Sequence, residues 1–135
     1  MIGLLNVSDA LISLHRSEGF GRTMAEAMLL EKPVIATNYA GNTDFTNSNT
    51  AFLVDGPIKE LGPDDYMFGT GQHWCDPDIE QAAGHMRTCF EDRALASALA
   101  KAGRAFILEH HNPVTVGNAY RNRLEYLGIV SKADE

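Results

Sequence analysis

Residues 18–37, EGFGRTMAEAMLLEKPVIAT, read as a glycine-bracketed turn, a helix and a strand in immediate succession. Gly19 and Gly21 flank Phe20. Met24, Ala25, Ala27, Met28, Leu29 and Leu30 then predict a helix from about Gly21 to Glu31 that is apolar on nearly every side and so buried on both flanks. Pro33 cannot continue that helix but is tolerated at the first residue of a strand, and the run Val34 to Thr37 follows it. Upstream, the short apolar run Ala10 to Leu14, closed by the polar stretch His15 to Glu18, predicts a buried strand. Strand, loop, helix and strand in this order form a βαβ unit, which is parallel and right-handed.

The turn before the helix is also where a ligand would bind. The first backbone N–H groups of a helix have no intrahelical partner and carry a partial positive charge, which attracts anions and phosphates above all. Glu18 precedes the turn and Glu26 lies on the helix, with seven residues between them. At a rise of about 1.5 Å per residue, Glu26 stands only about a turn and a half inside the helix, so both carboxylates are expected within reach of one ligand.

Working outward, Leu4, Leu5 and Val7 read as the end of a helix whose beginning lies upstream. Asn38 to Asn49 is a polar connection, and Ala51 to Val54 predicts a third short strand. Asp55 to Pro77 holds Gly56, Pro57, Gly62, Pro63, Gly69 and Gly71 and is expected to be an irregular surface excursion. Ile79, Ala82, Ala83, Met86 and Phe90 predict an amphipathic helix over 78–92 with Asp76 or Asp78 as its cap. Leu95, Leu99, Ala102 and Phe106 predict another over 93–109, and Asn112 and Pro113 open a last helix that stops at Gly128.

The chain has 135 residues, enough for one domain, and no apolar run nears the roughly 18 residues that span a bilayer. The N-terminal MIGLLNVSD lacks the features of a secretory signal, so a cytoplasmic setting is expected. The net charge of −7 disfavours nucleic acid and anionic membranes as partners. Cys75 and Cys89 form no CxxC pair and are expected to be free thiols.

The stretch EGFGRTMAEAMLLEKPVIAT resembles the E-x7-E signature of retaining glycosyltransferases of the GT-B fold, the large group-1 family that uses nucleotide sugars. The resemblance extends to Asp9–Leu14 and to AFLVD at 51–55, and more loosely through WCDPDIEQAAGHMRTCFED. It implies an α/β fold: a partial Rossmann-like three-layer domain with a short parallel sheet of about three strands and flanking helices. Residues 1–135 would be the second half of a C-terminal donor domain, without the acceptor domain, the first strands or the basic pair that holds the donor diphosphate in the family. The strands would correspond to the fourth, fifth and sixth of a doubly wound sheet.

The resemblance also implies the roles. Glu18 would bind hydroxyls of the donor sugar as the catalytic-site acid, and the backbone at Gly19, Phe20, Gly21, Arg22 and Thr23 would meet the sugar or the diphosphate. Glu26 would accept hydrogen bonds from the nucleotide ribose, which suits an ionised carboxylate. A hexose would pass from a nucleotide sugar to an unknown acceptor with retention, needing no further cofactor and no obligatory metal. The plainer alternatives are that Glu18 complements the helix dipole and that Glu26 pairs with Arg22 at i, i+4. A second reading makes the chain a non-catalytic remnant that acts as an assembly module. The strand edge left uncovered predicts a homo-oligomer or a partner in either case.

Several other residues are candidates for function. His15 precedes Glu18 by three residues and either lines the cleft or is structural. Asn42, Thr43 and Asp44 either lie near the donor or make a plain turn. His73, Cys75, His85 and Cys89 include one i, i+4 pair, but their spacing matches no zinc finger and Cys89 adjoins core-like Phe90, so no metal site is read. His110 and His111 suit a helix C-terminus, and no nucleophile elbow or P-loop is present. Val116, Ala119, Tyr120 and Leu124 on the last helix are expected to be exposed or shared with a partner.

Overall fold

The computed structural model describes residues 2–131; Met1 and residues 132–135 of the expected domain lie outside the described residues. The chain forms α1 (Ile2–Val7), β1 (Leu11–Ser13), α2 (Arg22–Leu29), β2 (Val34–Thr37), a 3-10 turn (Gly41–Asp44), β3 (Phe52–Val54), β4 (Ile58–Glu60), β5 (His73–Cys75), α3 (Ile79–Glu91), α4 (Arg93–His110) and α5 (Pro113–Tyr126). β1, β2 and β3 make a parallel sheet with β2 in the centre; Leu11 pairs with Val34, and Ile35 with Phe52.

The alternation of side chains along β2 divides the core in two. Val34 and Ala36 face Met24, Ala27 and Met28 of α2, Leu5 of α1 and Ile107 of α4. Ile35 points the other way, with Phe52 and Val54, toward Ala82 and Cys89 of α3 and Ala96 and Leu99 of α4. Helices on both faces of a parallel sheet make the expected three-layer α/β arrangement, and all four residues of β2 are buried. Asp78 caps α3 by accepting from Glu80 and Gln81 N–H, Asp92 caps α4 through Leu95 N–H, and Asn112 caps α5 through Val114 and Thr115 N–H.

Five expectations need correction. The stretch 55–77 is not irregular throughout: β4 and β5 pair antiparallel, with Ile58 opposite Cys75 and Glu60 opposite His73. α2 is not buried on both flanks; Met24, Ala25, Ala27 and Met28 form one buried face, while Arg22 and Leu29 are exposed. In α3, Ala82 and Cys89 are buried, whereas Ile79, Met86 and Phe90 are exposed. Met86 and Phe90 share an open groove with Ile12 of β1, one of the sheet's two edge strands, and among the described residues no strand pairs beyond β1. In α4 the buried face runs through Ala96, Leu99, Ala100, Gly103 and Ile107, one residue round from the face expected through Leu95 and Phe106. β1 is itself only half buried, as an edge strand must be.

α5 buries no residue, and Val116, Ala119 and Tyr120 stand exposed along it, as expected. No helix among the described residues is long and apolar enough to cross a membrane.

Candidate functional site

In a parallel sheet every strand ends at the same side, and ligands of doubly wound folds bind outside those carboxyl ends. Here the loops that leave β1, β2 and β3 carry His15 to Gly21, Asn38 to Asn42 and Asp55 to Pro57. The first two are locked together by their backbones. Gly41 N–H donates to the Glu18 carbonyl at 2.9 Å, and a Cβ on Gly41 would lie 2.0 Å from the Gly19 carbonyl oxygen. Only glycine permits that approach.

Beneath the lock lies a buried polar network centred on Asn42. Its Oδ1 is 2.9 Å from His15 Nε2, and its Nδ2 donates to the Thr37 carbonyl and the Thr46 hydroxyl. His15 Nε2 also faces the Tyr39 carbonyl, while Nδ1 faces the Ser13 hydroxyl. Both partners of Nε2 are acceptors, so the proton sits there and Nδ1 accepts from Ser13. His15 thus fixes the floor of the loop, and it also lines the cleft described below.

The helix end has the predicted character. Gly21 is the residue before α2, at φ 91°, a left-handed conformation that favours glycine, and no side chain caps the helix. Its carbonyl accepts from Met24 and Ala25 N–H, which leaves the N–H groups of residues 21–23 at the open end of the helix. Phe20 turns back onto the core, its ring 5.0 Å from that of Phe45 and 5.6 Å from that of His111. This packing holds the turn against the end of α4.

Glu18 is exposed, and its carboxylate accepts from Gly19 N–H at 3.1 Å. Glu26 is half-buried one turn into α2, with Arg22 Nε 3.6 Å away. A cleft of about 790 Å³ opens beside this loop, walled on one side by His15 to Gly19 and on the other by the β4–β5 hairpin, including Leu61, Tyr66, Phe68 and Trp74. Glu18 and Gly19 line it; Phe20, Gly21, Arg22, Thr23 and Glu26 do not. The structure therefore sets the two carboxylates on adjoining but different surfaces.

The hairpin is tied to the loop by Arg16. Cys75 N–H donates to the Arg16 carbonyl at 2.9 Å, the Arg16 guanidinium pairs with Asp76 at 3.1 Å and lies 4.7 Å over the Trp74 ring, and Lys59 pairs with the same carboxylate. Hydrogen bonding from Lys59, and then from Arg16, holds the Asp76 carboxyl below the usual carboxylate range. Asp76 is thus a clamp residue, and Asp78 alone caps α3. Burial pushes the Cys75 thiol up, helped by the nearby Asp55 and Asp76 carboxylates, and burial does the same at Cys89. Both are ordinary free thiols rather than activated nucleophiles.

The other candidates disperse. His73 and Cys75 lie on β5, whereas His85 and Cys89 lie on α3, where His85 Nε2 is bonded to the Leu53 carbonyl at 2.8 Å. Among the described residues no three His, Cys, Asp or Glu side chains converge. Phe90, expected in the core beside Cys89, is exposed with the Arg93 guanidinium over its ring. Asp44 and Thr43 are exposed, while Asn42 is wholly buried as the hub. The sequence reading missed two parts of this site: the hub role of Asn42 and the hairpin wall. The wall gave little signal, since its strands are only three residues each and mostly exposed, and six glycines and prolines stand before Trp74.

The geometry invites comparison with known proteins. A crystal structure of Anabaena Alr3699/HepE in complex with UDP and glucose matches at a TM-score of 0.68 and 22% identity, over 91% of this chain and 29% of that one. The same protein in complex with UDP-glucose matches at 0.66 and 24%, with the same coverage. A glycosyltransferase from Rickettsia africae ESF-5 matches at 0.69 and 25%, over 96% of this chain and 30% of that one. The chain therefore spans under a third of the length of these structures. Among curated proteins, none matches. The family described as glycosyl transferases group 1 matches residues 1–106, which include the three-stranded sheet, the α2 end and the hairpin. On that match the chain belongs to the group 1 glycosyl transferases.

Proposed function

We propose that the chain is the donor-binding portion of a retaining glycosyltransferase, the second half of a C-terminal GT-B donor domain that moves a hexose from a nucleotide sugar. The observation that carries this reading is the uncapped, glycine-led N-terminus of α2, held beside Glu18 by the close contact between Gly41 and Gly19. Its N–H groups suit the diphosphate, the exposed Glu18 carboxylate suits sugar hydroxyls, and Glu26 suits the ribose. The solved structures with UDP and with UDP-glucose support a nucleotide sugar as the ligand class.

In the transfer, the bond from the anomeric carbon to the diphosphate breaks and a bond to the acceptor oxygen forms on the same face. The acceptor proton passes to the departing phosphate oxygen. This chain's share is to position the donor and to stabilise the negative charge that grows on that oxygen. With amide donors in that role, the reading calls for no resident metal.

The test is ligand-observed NMR with a panel of nucleotide sugars and free nucleotides. Selective binding is expected. Glu26→Ala should weaken nucleotide and nucleotide sugar alike by roughly tenfold to a hundredfold, the worth of a charge-assisted hydrogen bond. Glu18→Gln should weaken only the nucleotide sugar. No binding by the folded chain overturns the reading.

A second reading, an assembly module, is favoured by the groove of Ile12, Met86 and Phe90 at the open edge of β1. It expects a homo-oligomer or a partner covering that edge. A monomer by light scattering at high concentration, with no partner recovered by cross-linking at β1, would overturn it.

A further inference from the structure

The turn that carries the open end of α2 has one side chain to hold it. Phe20 stands between Gly19 and Gly21, and neither glycine has a side chain with which to anchor the turn. The Phe20 ring is 39% exposed and packs on two rings, Phe45 at 5.0 Å and His111 at 5.6 Å. Phe45 belongs to the core, completely buried and 5.8 Å from His111 in an edge contact. His111 is different. It is the half-buried residue that ends α4, its N–H donates to the Ile107 carbonyl at 3.0 Å, and it lies beyond residues 1–106, which the family matches.

The two adjacent histidines at this helix end take opposite sides. His110 stacks on Phe106 at 4.2 Å, bonds through Nδ1 to the Phe106 carbonyl and lines the groove along α5. His111 instead closes a triangle with Phe20 and Phe45, in the tilted and edge-on contacts that aromatic rings prefer. Complementing the helix dipole asks only for positive charge near the last carbonyls of α4, which either histidine supplies. It does not ask for a ring laid against the turn that opens another helix.

That turn is held from one side by Gly41 N–H on the Glu18 carbonyl and from the other by the Phe20 ring. Without the His111 ring, Phe20 would rest on Phe45 alone and the turn would be held firmly on one side only. We infer that His111 is a positioning residue: its ring, acting through Phe20, sets the turn that aims the N–H groups of residues 21–23. This rests on the donor reading only for what those groups hold. The requirement is for a flat ring rather than for an imidazole, so phenylalanine serves in its place and alanine does not.

The test compares His111→Ala, His111→Phe, Phe20→Leu and the double variant Phe20→Leu/His111→Ala. Two readouts are followed: exchange of the Gly41 N–H with solvent deuterium, which reports on the turn with no ligand present, and affinity for nucleotide sugars by ligand-observed NMR. In His111→Ala, Gly41 exchange should rise about three- to tenfold beyond any change at the β2 amides, and affinity should fall by a similar factor, the worth of one aromatic pair. His111→Phe should restore both. In the Phe20→Leu background, His111→Ala should lose most of its effect, since the ring it removes no longer has a partner to act through. A folded His111→Ala chain in which either readout is unchanged overturns the assignment. So does a loss that phenylalanine does not restore, which would belong to the helix dipole, or one that persists in full without the Phe20 ring. If the folded wild-type chain binds no nucleotide sugar, the donor reading falls by itself; Gly41 exchange raised by alanine and restored by phenylalanine then still supports the role of His111, and unchanged exchange overturns it.

Discussion

The two sheets of this chain are held by different forces. β2 is buried along its whole length between α2 and α3, and its neighbours place Phe52, Val54, Met24 and Met28 against it. β4 is exposed at every residue, and its hairpin is fixed to the domain by Arg16 with Asp76, by the Tyr39 hydroxyl donating to the His73 carbonyl and by a backbone bond, with Lys59 bracing Asp76 from within the hairpin, rather than by a thick apolar layer. Apolar close packing resists displacement, whereas exposed ion pairs hold weakly and exchange with solvent. The cleft lies along the seam between these regimes. One wall is rigid and presents the loop at the α2 end; the other is adjustable and presents side chains to whatever enters.

The largest effect is expected where the rigid half is densest. Phe45 is fully buried between Phe20 and His111, so Phe45→Ala should cost about 3–5 kcal/mol in urea unfolding followed by far-UV circular dichroism. Ile58→Ala on the outer hairpin strand should stay within about 0.5 kcal/mol. Equal losses at the two positions would erase the distinction between the halves.

A smaller global effect with a larger local one is expected from Gly41→Ala. The added methyl meets the Gly19 carbonyl oxygen, a backbone atom that cannot rotate away, and overpacking of this kind costs about 1–3 kcal/mol. The loop before α2 must shift, so nucleotide-sugar binding should fall well beyond what the stability loss explains. Binding unchanged in a folded Gly41→Ala chain would mean that the lock between the two loops does not shape the site.

The sequence made the rigid half legible because its periodicities are those of buried structure. Val34 to Thr37 after Pro33, the helix after Gly21, and the caps Asp78 and Asn112 all lie within a residue or two of their expected places. The hairpin was hidden because short exposed strands carry no hydrophobic signature, and its links, such as Arg16 to Asp76, span sixty residues. The same limit applied to the faces of α3. Met86 and Phe90 have the spacing of core residues, but whether anything covers them depends on what lies beyond β1, which local sequence does not encode. Glu18, Gly19 and Gly21 lie in the turn before α2, where the glycine and acid spacing put them. Asn42 was ambiguous, since an asparagine in a turn and an asparagine buried as a hydrogen-bond hub look alike in sequence.

The smallest effect, confined to the hairpin, is expected in acid. The Asp76 carboxyl is held below its ordinary value by Lys59 and Arg16, so the ionised form is favoured in the folded chain. A group lowered in this way contributes its stabilisation at every pH above the unfolded value of about 3.9 and loses it as pH falls through the lowered folded value. Around pH 5 the clamp should therefore be intact, with Cys75 N–H protected from exchange and Arg16 still over Trp74. Below about pH 3.9 Trp74 emission should begin to change as Arg16 is released, ahead of any loss of helical circular dichroism. Asp76→Asn removes the titrating group and should show the released emission already at neutral pH, with no acid step. An emission change centred above the ordinary carboxylate value, or one that persists in Asp76→Asn, would mean that the adjustable wall is held by something other than this clamp. The wall would then be held at the tip instead, where Leu61 is buried.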